Sequence, residues 1–157
     1  MPKSKHMDER LIEIAKETVS EKSWTANRRA VSTAYYAVFH ALARTCTEEL
    51  FGRSKDAKNL KEHDMVYRQL DHTSLKSAFN NTPMQENETI KRIGLLAKEL
   101  QNERHKADYM PRRKLYPKKE CEEWISKADE ARDLINNLSP PDKKTLAIYL
   151  IFKNRAS

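Results

Sequence analysis

Hydrophobic and polar positions follow one another in this chain with the period of an α-helix, most clearly between residues 28 and 43. At about 100° per residue, that segment carries three stripes on different sides of the helix. The small stripe comprises Ala30, Ala34, Ala37 and Ala41, and the bulky apolar stripe comprises Val31, Tyr35, Val38 and Leu42. The polar stripe comprises Arg29, Thr33, Tyr36 and His40. Because small side chains let a neighbouring backbone come close, the alanine stripe predicts the central helix of a bundle. The polar stripe is a candidate for functional chemistry, and the alternative is that Tyr36 and His40 are half-buried boundary residues.

The same period continues through the chain and predicts an all-α fold, an up-and-down bundle of four to five helices followed by a short C-terminal helix. The predicted helices cover about residues 8–22, 26–50, 62–80, 86–109 and 118–138, and a weaker pattern allows a break near 72–74. The buried stripe of the first helix is expected to comprise Leu11, Ile14, Ala15 and Val19. Thr25 is expected to cap the second helix.

Several residues mark where the predicted helices begin and end. Gly52 is placed to end the second helix, residues 80–83 read as a loop, and Ser139 with Pro140 begins the last helix. The segment 146–152 is apolar nearly all round, which predicts packing against the bundle or a second subunit. The expected organisation comprises three parts: a flexible basic tail at 1–7, the bundle at 8–138 and a helical extension at 139–157.

Composition narrows the class of protein. Two glycines and 34% charged residues disfavour an all-β chain, which needs many tight turns. Neither a signal-peptide pattern nor a membrane-spanning apolar run is visible, so a cytoplasmic location without membrane contact is expected. Cys46 and Cys121 have no Cys-x-x-Cys spacing, and Cys46 is predicted to lie in the core.

Positive charge is concentrated in one segment of the second half of the sequence. The net charge is +7, and seven Lys or Arg residues lie between positions 104 and 119, with Asp108 as the single acid there. The cluster includes Lys106, Arg112, Arg113 and Lys114, with Tyr109 and Tyr116 interleaved. Lys and Arg side chains bind phosphates, and aromatic rings stack on bases. Their combination in one segment favours binding of single-stranded RNA. The alternative is an ordinary solvated loop.

Arg104 and Asp108 fall inside the apolar arc of the predicted helix at 86–109. Charged residues are rarely buried unless they are paired. One explanation is a structural ion pair, bonded to Tyr36 or Tyr109, that fixes helix packing. The other is that the helix end opens into a cleft where Arg104 faces an anionic substrate.

The five histidines are the natural candidates for proton transfer. His40 and His105 are the better candidates, because His63 and His72 lie in a weakly patterned region. The sequence contains neither a metal-binding histidine spacing nor a glycine-rich phosphate loop, so no metal and no cofactor are expected.

Two segments together resemble a known family. Residues 34–41 read Ala-Tyr-Tyr-Ala-Val-Phe-His-Ala, and Arg104 to Tyr109 match the pattern Arg-x-x-Ala-Asp-Tyr. Both motifs, in this order and separation, resemble those of one branch of the HEPN domains. The resemblance covers roughly residues 8–138 and implies a helical bundle, usually a homodimer. It also implies RNA binding or RNA cleavage in toxin–antitoxin and defence systems, often beside a nucleotidyltransferase partner.

Arg104, Asp108 and Tyr109 carry over as residues of the family's motif, and the roles that follow are the hypothesis for a chain that cleaves RNA. Arg104 would contact the scissile phosphate, His105 or His40 would transfer the proton, and Tyr36, Asp108 and Tyr109 would organise the site. Active ribonucleases of the family carry an arginine and a histidine separated by four to six residues, a spacing this chain lacks. The leading hypothesis is therefore an RNA-binding homodimer that is in addition a candidate metal-independent ribonuclease of a toxin–antitoxin or defence system. The alternative is a non-catalytic adaptor or binding module that partners a nucleotidyltransferase.

Overall fold

A computed structural model of the chain describes residues 5–52, 59–70, 72–110 and 115–152, with the backbone alone at 59, 60 and 72–74. These residues form helices and no strand, which confirms the all-α prediction. The described helices are α1 (Met7–Thr18), α2 (Trp24–Phe51), α3 (Asn59–Gln69), α4 (His72–Ala78), α5 (Thr82–Gln85), α6 (Glu88–Tyr109), α7 (Lys118–Asn136) and α8 (Pro140–Ile151).

Five of these helices, α1, α2, α3, α6 and α7, correspond to the five predicted ones. The third predicted helix is divided into α3 and α4, but the break lies earlier than predicted, because α3 ends at Gln69 and α4 already includes residues 72–74. The one-turn helix α5 occupies part of the segment predicted to be a loop, and it begins after Asn81, whose backbone is extended. Among the described helices, none combines the length and the apolar character that a membrane span requires.

The first helix is shorter than predicted and buries a different face. It ends at Thr18 because Val19 adopts an extended conformation. Its buried residues are Asp8, Ile12 and Ala15, whereas Ile14, predicted to be buried, is 48% exposed. The apolar pattern missed this rotation because Asp8, a charged residue, is buried and paired with Arg132 of α7 at 3.7 Å.

The central helix α2 has the two buried stripes that its sequence predicts. All four alanines and all four bulky residues of these stripes are buried. Its N-terminal cap is Ser23 rather than the predicted Thr25, because the Ser23 hydroxyl accepts a hydrogen bond from the backbone N–H of Ala26 at 3.1 Å. Gly52 ends the helix with a φ of 79°, a conformation that glycine adopts without strain.

Packing divides the chain into two compact units. Unit 1 comprises Met1–His40 with Leu96–Asp133, and unit 2 comprises Ala41–Leu95 with Leu134–Ser157. The α2, α6 and α7 helices contribute residues to both units. The candidate functional residues that the structure describes all belong to unit 1.

Unit 2 holds the C-terminal helix and a close helix contact. The α8 helix packs with α4 and α5 and buries Leu146, Ala147 and Leu150, so the apolar segment is covered in part by its own chain. A Cβ atom at Gly94 would lie 2.6 Å from the Phe79 ring, so this position has room only for glycine. Met65, on α3, is exposed.

Candidate functional site

Arg104 and Asp108 form an ion pair on successive turns near the end of α6. The Arg104 Nη1 atom lies 3.3 Å from the Asp108 carboxylate oxygen Oδ2. The hydroxyl of Ser32, on α2, donates a hydrogen bond to the same oxygen at 3.2 Å. The pair predicted from the helical wheel is therefore confirmed, and Asp108 connects α6 to α2.

Three tyrosine rings surround the Arg104 guanidinium. Its Cζ atom lies 5.3 Å from the ring centroid of Tyr35, 5.8 Å from that of Tyr36 and 6.0 Å from that of Tyr109. Only 13% of the Arg104 side chain is exposed. A guanidinium lying over aromatic faces is attracted by their quadrupoles, so the rings stabilise a cation that burial alone would disfavour.

The charge of Arg104 is secure at any physiological pH. Burial by itself lowers the pKa of the guanidinium, but Tyr36, Tyr109, Tyr35 and Asp108 favour the charged form, and the net effect raises the pKa above its ordinary value. The buried Nε atom has no hydrogen-bond partner within the described part of the chain. Arg104 is thus a permanent cation with most of its surface held by protein groups.

The solvent side of the same helical turn is aromatic and basic. The rings of His105 and Tyr109 pack against each other with centroids 5.1 Å apart and planes inclined by 45°. Tyr109 is 66% exposed, and His105 and Lys106 are exposed beside it. Lys106 lies 3.5 Å from Glu103. This edge of α6 presents one large ring and two basic side chains to solvent.

Tyr116 has a structural role rather than the base-stacking role that its sequence position indicated. Its side chain is buried, and its hydroxyl donates a hydrogen bond to the Glu103 carboxylate at 2.8 Å. Burial and then the bond to Glu103 raise the pKa of the Tyr116 hydroxyl well above its ordinary value. Arg28 lies over the Tyr116 ring at 5.8 Å and donates to the backbone carbonyl of Ala107 at 2.7 Å.

Asn27 completes this framework behind the site. Its amide Nδ2 donates to the carbonyls of Ser20, at 2.8 Å, and Tyr116, at 2.7 Å, while its Oδ1 accepts from the N–H of Ser20 at 2.8 Å. The Cys121 thiol is 3.5 Å from the Asn27 carbonyl. Sequence reasoning missed Asn27, Arg28 and Tyr116 as positioning residues. The sequence contains one indication of this role, because the polar residue Asn27 stands next to an apolar stripe of the predicted helix.

The remaining predicted residues are distributed as follows. Arg29 is exposed on α2, one turn before Ser32, and His40 is half-buried one turn after Tyr36. Arg112, Arg113 and Lys114 lie outside the described residues. The structure therefore brings Arg104, Asp108, Tyr36 and Tyr109 together, with His105 and Lys106 on the solvent side.

No family model, curated protein or solved structure matches this chain. The HEPN resemblance therefore rests on the two motifs alone.

Within the described residues, no group of three or more His, Cys, Asp or Glu side chains is arranged to hold a metal ion. What the arrangement offers chemically is a fixed cation, an exposed aromatic ring and exposed basic groups.

Proposed function

We propose that this chain binds RNA through the exposed edge of α6, without a requirement for cleavage. The binding surface comprises Tyr109, His105 and Lys106, with Arg29 on the adjoining part of α2. We call these four residues the α6 terminal surface. The proposal agrees with the HEPN resemblance and with the net charge of +7.

The observation that carries the proposal is the exposed ring of Tyr109. A tyrosine with 66% of its surface in solvent, packed on His105 and next to Lys106, is well suited to stack on an unpaired base. The basic neighbours supply contacts for the phosphates on either side of that base. Single-stranded RNA is therefore the preferred ligand.

Arg104 acts in this proposal as a positioning residue. It is ion-paired with Asp108 and packed on three rings, one of them Tyr109. Since most of its surface is taken up by these contacts, it holds the Tyr109 ring in place rather than reaching toward a phosphate. This favours binding over catalysis.

A second candidate is metal-independent cleavage, as in a ribonuclease toxin or defence component. It is favoured by His105, an exposed imidazole next in sequence to Arg104. In that mechanism Arg104 would contact the scissile phosphate, and His105 or His40 would accept the proton of the RNA 2′-hydroxyl as this group attacks the phosphorus. The bond from phosphorus to the 5′-oxygen of the next nucleotide would break, leaving a 2′,3′-cyclic phosphate, and that 5′-oxygen would take up a proton. A third candidate, an adaptor for a nucleotidyltransferase, involves no RNA contact at all.

Fluorescence anisotropy with a labelled single-stranded RNA tests the proposal. We expect Tyr109→Ala to weaken binding by roughly tenfold, because loss of one base–aromatic stack costs about 1–3 kcal/mol. Tyr149→Ala, which changes a half-buried tyrosine of unit 2, serves as the matched control and should bind as the wild type does. Wild-type protein that fails to bind RNA at low salt would overturn the proposal in favour of the adaptor.

The same RNAs incubated in EDTA distinguish binding from cleavage. We expect intact RNA with the wild-type protein. Cleavage that disappears in both Arg104→Ala and His105→Ala would establish the ribonuclease instead.

A further inference from the structure

Trp24, the first residue of α2, lies outside the α6 terminal surface and is 47% exposed. Leu115 is 61% exposed, and the carbonyl of its neighbour Tyr116 accepts a hydrogen bond from Asn27, three residues after Trp24. Two exposed apolar side chains therefore belong to the same corner of unit 1. The indole ring of Trp24 is the larger of them and offers a broad flat face.

Trp24 continues a stripe of α2 that faces the end of α6. Trp24, Arg28 and Ser32 follow one another at i, i+4 and i+8, so they lie on one side of the helix. Arg28 donates a hydrogen bond to the Ala107 carbonyl at 2.7 Å, and Ser32 donates one to Asp108 at 3.2 Å. Trp24 lies one helical turn further on, where α6 no longer covers it, because α6 ends one residue after Asp108.

The separation of Trp24 and Tyr109 suits one nucleic-acid strand. Ser32 contacts Asp108, the neighbour of Tyr109, so the eight residues from Trp24 to Ser32 measure the separation along α2, about 12 Å. Stacked bases of one strand are about 3.4 Å apart, and the bases of an extended strand are further apart. About four nucleotide steps or fewer therefore lead from one ring to the other.

The charges around Trp24 suit a phosphate backbone. Lys22 and Arg29, on either side of Trp24 in sequence, are both exposed. The acid nearest to it in sequence is Glu21, which lies 3.5 Å from Lys118, so its charge is offset. A strand whose base stacks on the indole ring therefore has cations available for its phosphates.

We propose that Trp24 is a second base-stacking platform, and that one unpaired RNA strand lies across both Trp24 and Tyr109. This inference rests on the RNA-binding function proposed above and adds to it the path of the strand. The ligand is then an unpaired segment of at least about four nucleotides, because bases inside a duplex are stacked on one another and do not reach the rings. Base–aromatic stacking accepts every base, so the site selects unpaired structure rather than sequence.

Fluorescence anisotropy with a labelled oligouridine of about eight nucleotides tests this path. We expect Trp24→Ala to weaken binding roughly tenfold, as the loss of one base–aromatic stack does, and Trp24→Phe to keep most of the affinity. Phe51→Ala is the matched control, because Phe51 is 46% exposed at the other end of α2, in unit 2, and its replacement should leave binding unchanged. Circular dichroism establishes that each variant is folded.

Tryptophan fluorescence reports the stacking itself. The chain has two tryptophans, and the other one, Trp124 on α7, is half-buried with Lys127 over its ring at 4.6 Å. We expect the oligouridine to quench the emission of the wild type and of Trp124→Phe, and to leave that of Trp24→Phe unchanged. Quenching that persists in Trp24→Phe and disappears in Trp124→Phe would overturn the inference.

The affinities separate this inference from the function on which it rests. Wild-type protein that fails to bind the oligouridine at low salt would remove both. Binding that is weakened by Tyr109→Ala but not by Trp24→Ala would keep the proposed function and overturn the second platform. Equal losses in Trp24→Ala and Trp24→Phe would show that Trp24 has a structural role and would overturn the platform as well.

Discussion

At the scale of single residues, Arg104 is the most unusual side chain of the described chain. A cation within an apolar helical arc is tolerated when its charge is paired and its planar faces are covered. Asp108 meets the first condition, and the rings of Tyr35, Tyr36 and Tyr109 meet the second. The side chain therefore contributes to stability as well as to the shape of the site.

Replacement of Arg104 tests that contribution. We expect Arg104→Ala to lower the free energy of unfolding by about 2 kcal/mol, because it removes the ion pair and the ring contacts and leaves Asp108 with less compensation. For a chain of this size the melting temperature should fall by roughly 4–8 °C, measured by circular dichroism. The melting temperature of Arg104→Lys should lie between those of the wild type and Arg104→Ala, since lysine keeps the charge without the planar group. Arg29→Ala, an exposed control, should melt as the wild type does, and an unchanged melting temperature in Arg104→Ala would contradict a structural role.

Cys46 gives a pH-dependent prediction. Burial, and then the neighbouring Glu49, raise the pKa of its thiol from 9.0 to about 12. The thiol stays neutral in the folded protein while the unfolded chain ionises above pH 9. The contribution of the protonated thiol to the free energy of unfolding is therefore complete below about pH 9 and is lost as the pH rises toward about 12.

Chemical denaturation at a series of pH values measures this effect. We expect the wild-type protein to lose more stability between pH 8 and pH 11 than Cys46→Ala does, with the difference growing by up to about 1.4 kcal/mol per pH unit above the unfolded pKa. Comparing slopes rather than absolute values removes the cost of the cavity in the variant. Parallel curves for the two proteins would show that the thiol ionises equally in both states.

At the scale of elements, the last two turns of α6 are fixed from behind by the start of α2 and by the segment before α7. Arg28 binds the Ala107 carbonyl, one of the carbonyls that have no partner within the helix. Asn27 holds the segment at Tyr116, which in turn bonds to Glu103. These contacts join three stretches of chain distant in sequence and set the orientation of the α6 terminal surface.

Asn27 makes three of the hydrogen bonds that hold these stretches of chain together. We expect Asn27→Ala to lower the free energy of unfolding by about 3 kcal/mol, because three hydrogen bonds are lost and buried backbone groups of Ser20 and Tyr116 are left without them. Urea titration followed by circular dichroism measures the change. Asn80→Ala, an exposed asparagine in unit 2, is the control and should stay close to the wild type. Equal midpoints for the two variants would argue against the framework.

At the scale of the whole molecule, the proposed binding of RNA would combine the net charge of +7 with the α6 terminal surface. Charge spread over the chain would attract RNA at a distance, and the residues of the surface would determine where it is bound. Affinity should therefore fall steeply with salt.

The slope of that dependence tests the contribution of Lys106. We expect Lys106→Ala to lower the slope of the logarithm of the RNA affinity against the logarithm of the salt concentration by about 0.7, the value for one phosphate contact in a single strand. Lys98→Ala, which changes an exposed lysine two turns earlier on α6, should keep the wild-type slope. Identical slopes in the two variants would remove Lys106 from the interface.

Much of the fold was predictable from local patterns. The long helix α2 with its two buried stripes, the end of α6 at Tyr109 and the cap of α8 at Ser139 follow from periodicity and capping preferences. The rotation of α1 was not predictable, because it depends on the pairing of Asp8 with Arg132, more than a hundred residues away. Of the site, the Arg104–Asp108 pair was predictable because both residues lie on one helix.

What the sequence determined by itself is therefore local: the all-α class, the two buried stripes of α2 and the Arg104–Asp108 pair on successive turns of α6. The tertiary structure alone decided which polar residues are buried and which aromatic rings reach solvent. Tyr109 and Tyr116 show this most directly, since both belong to the same basic cluster, yet one is exposed and the other buried against Glu103. The physical reason is that burial of a polar group depends on a partner, and the partners here come from other helices.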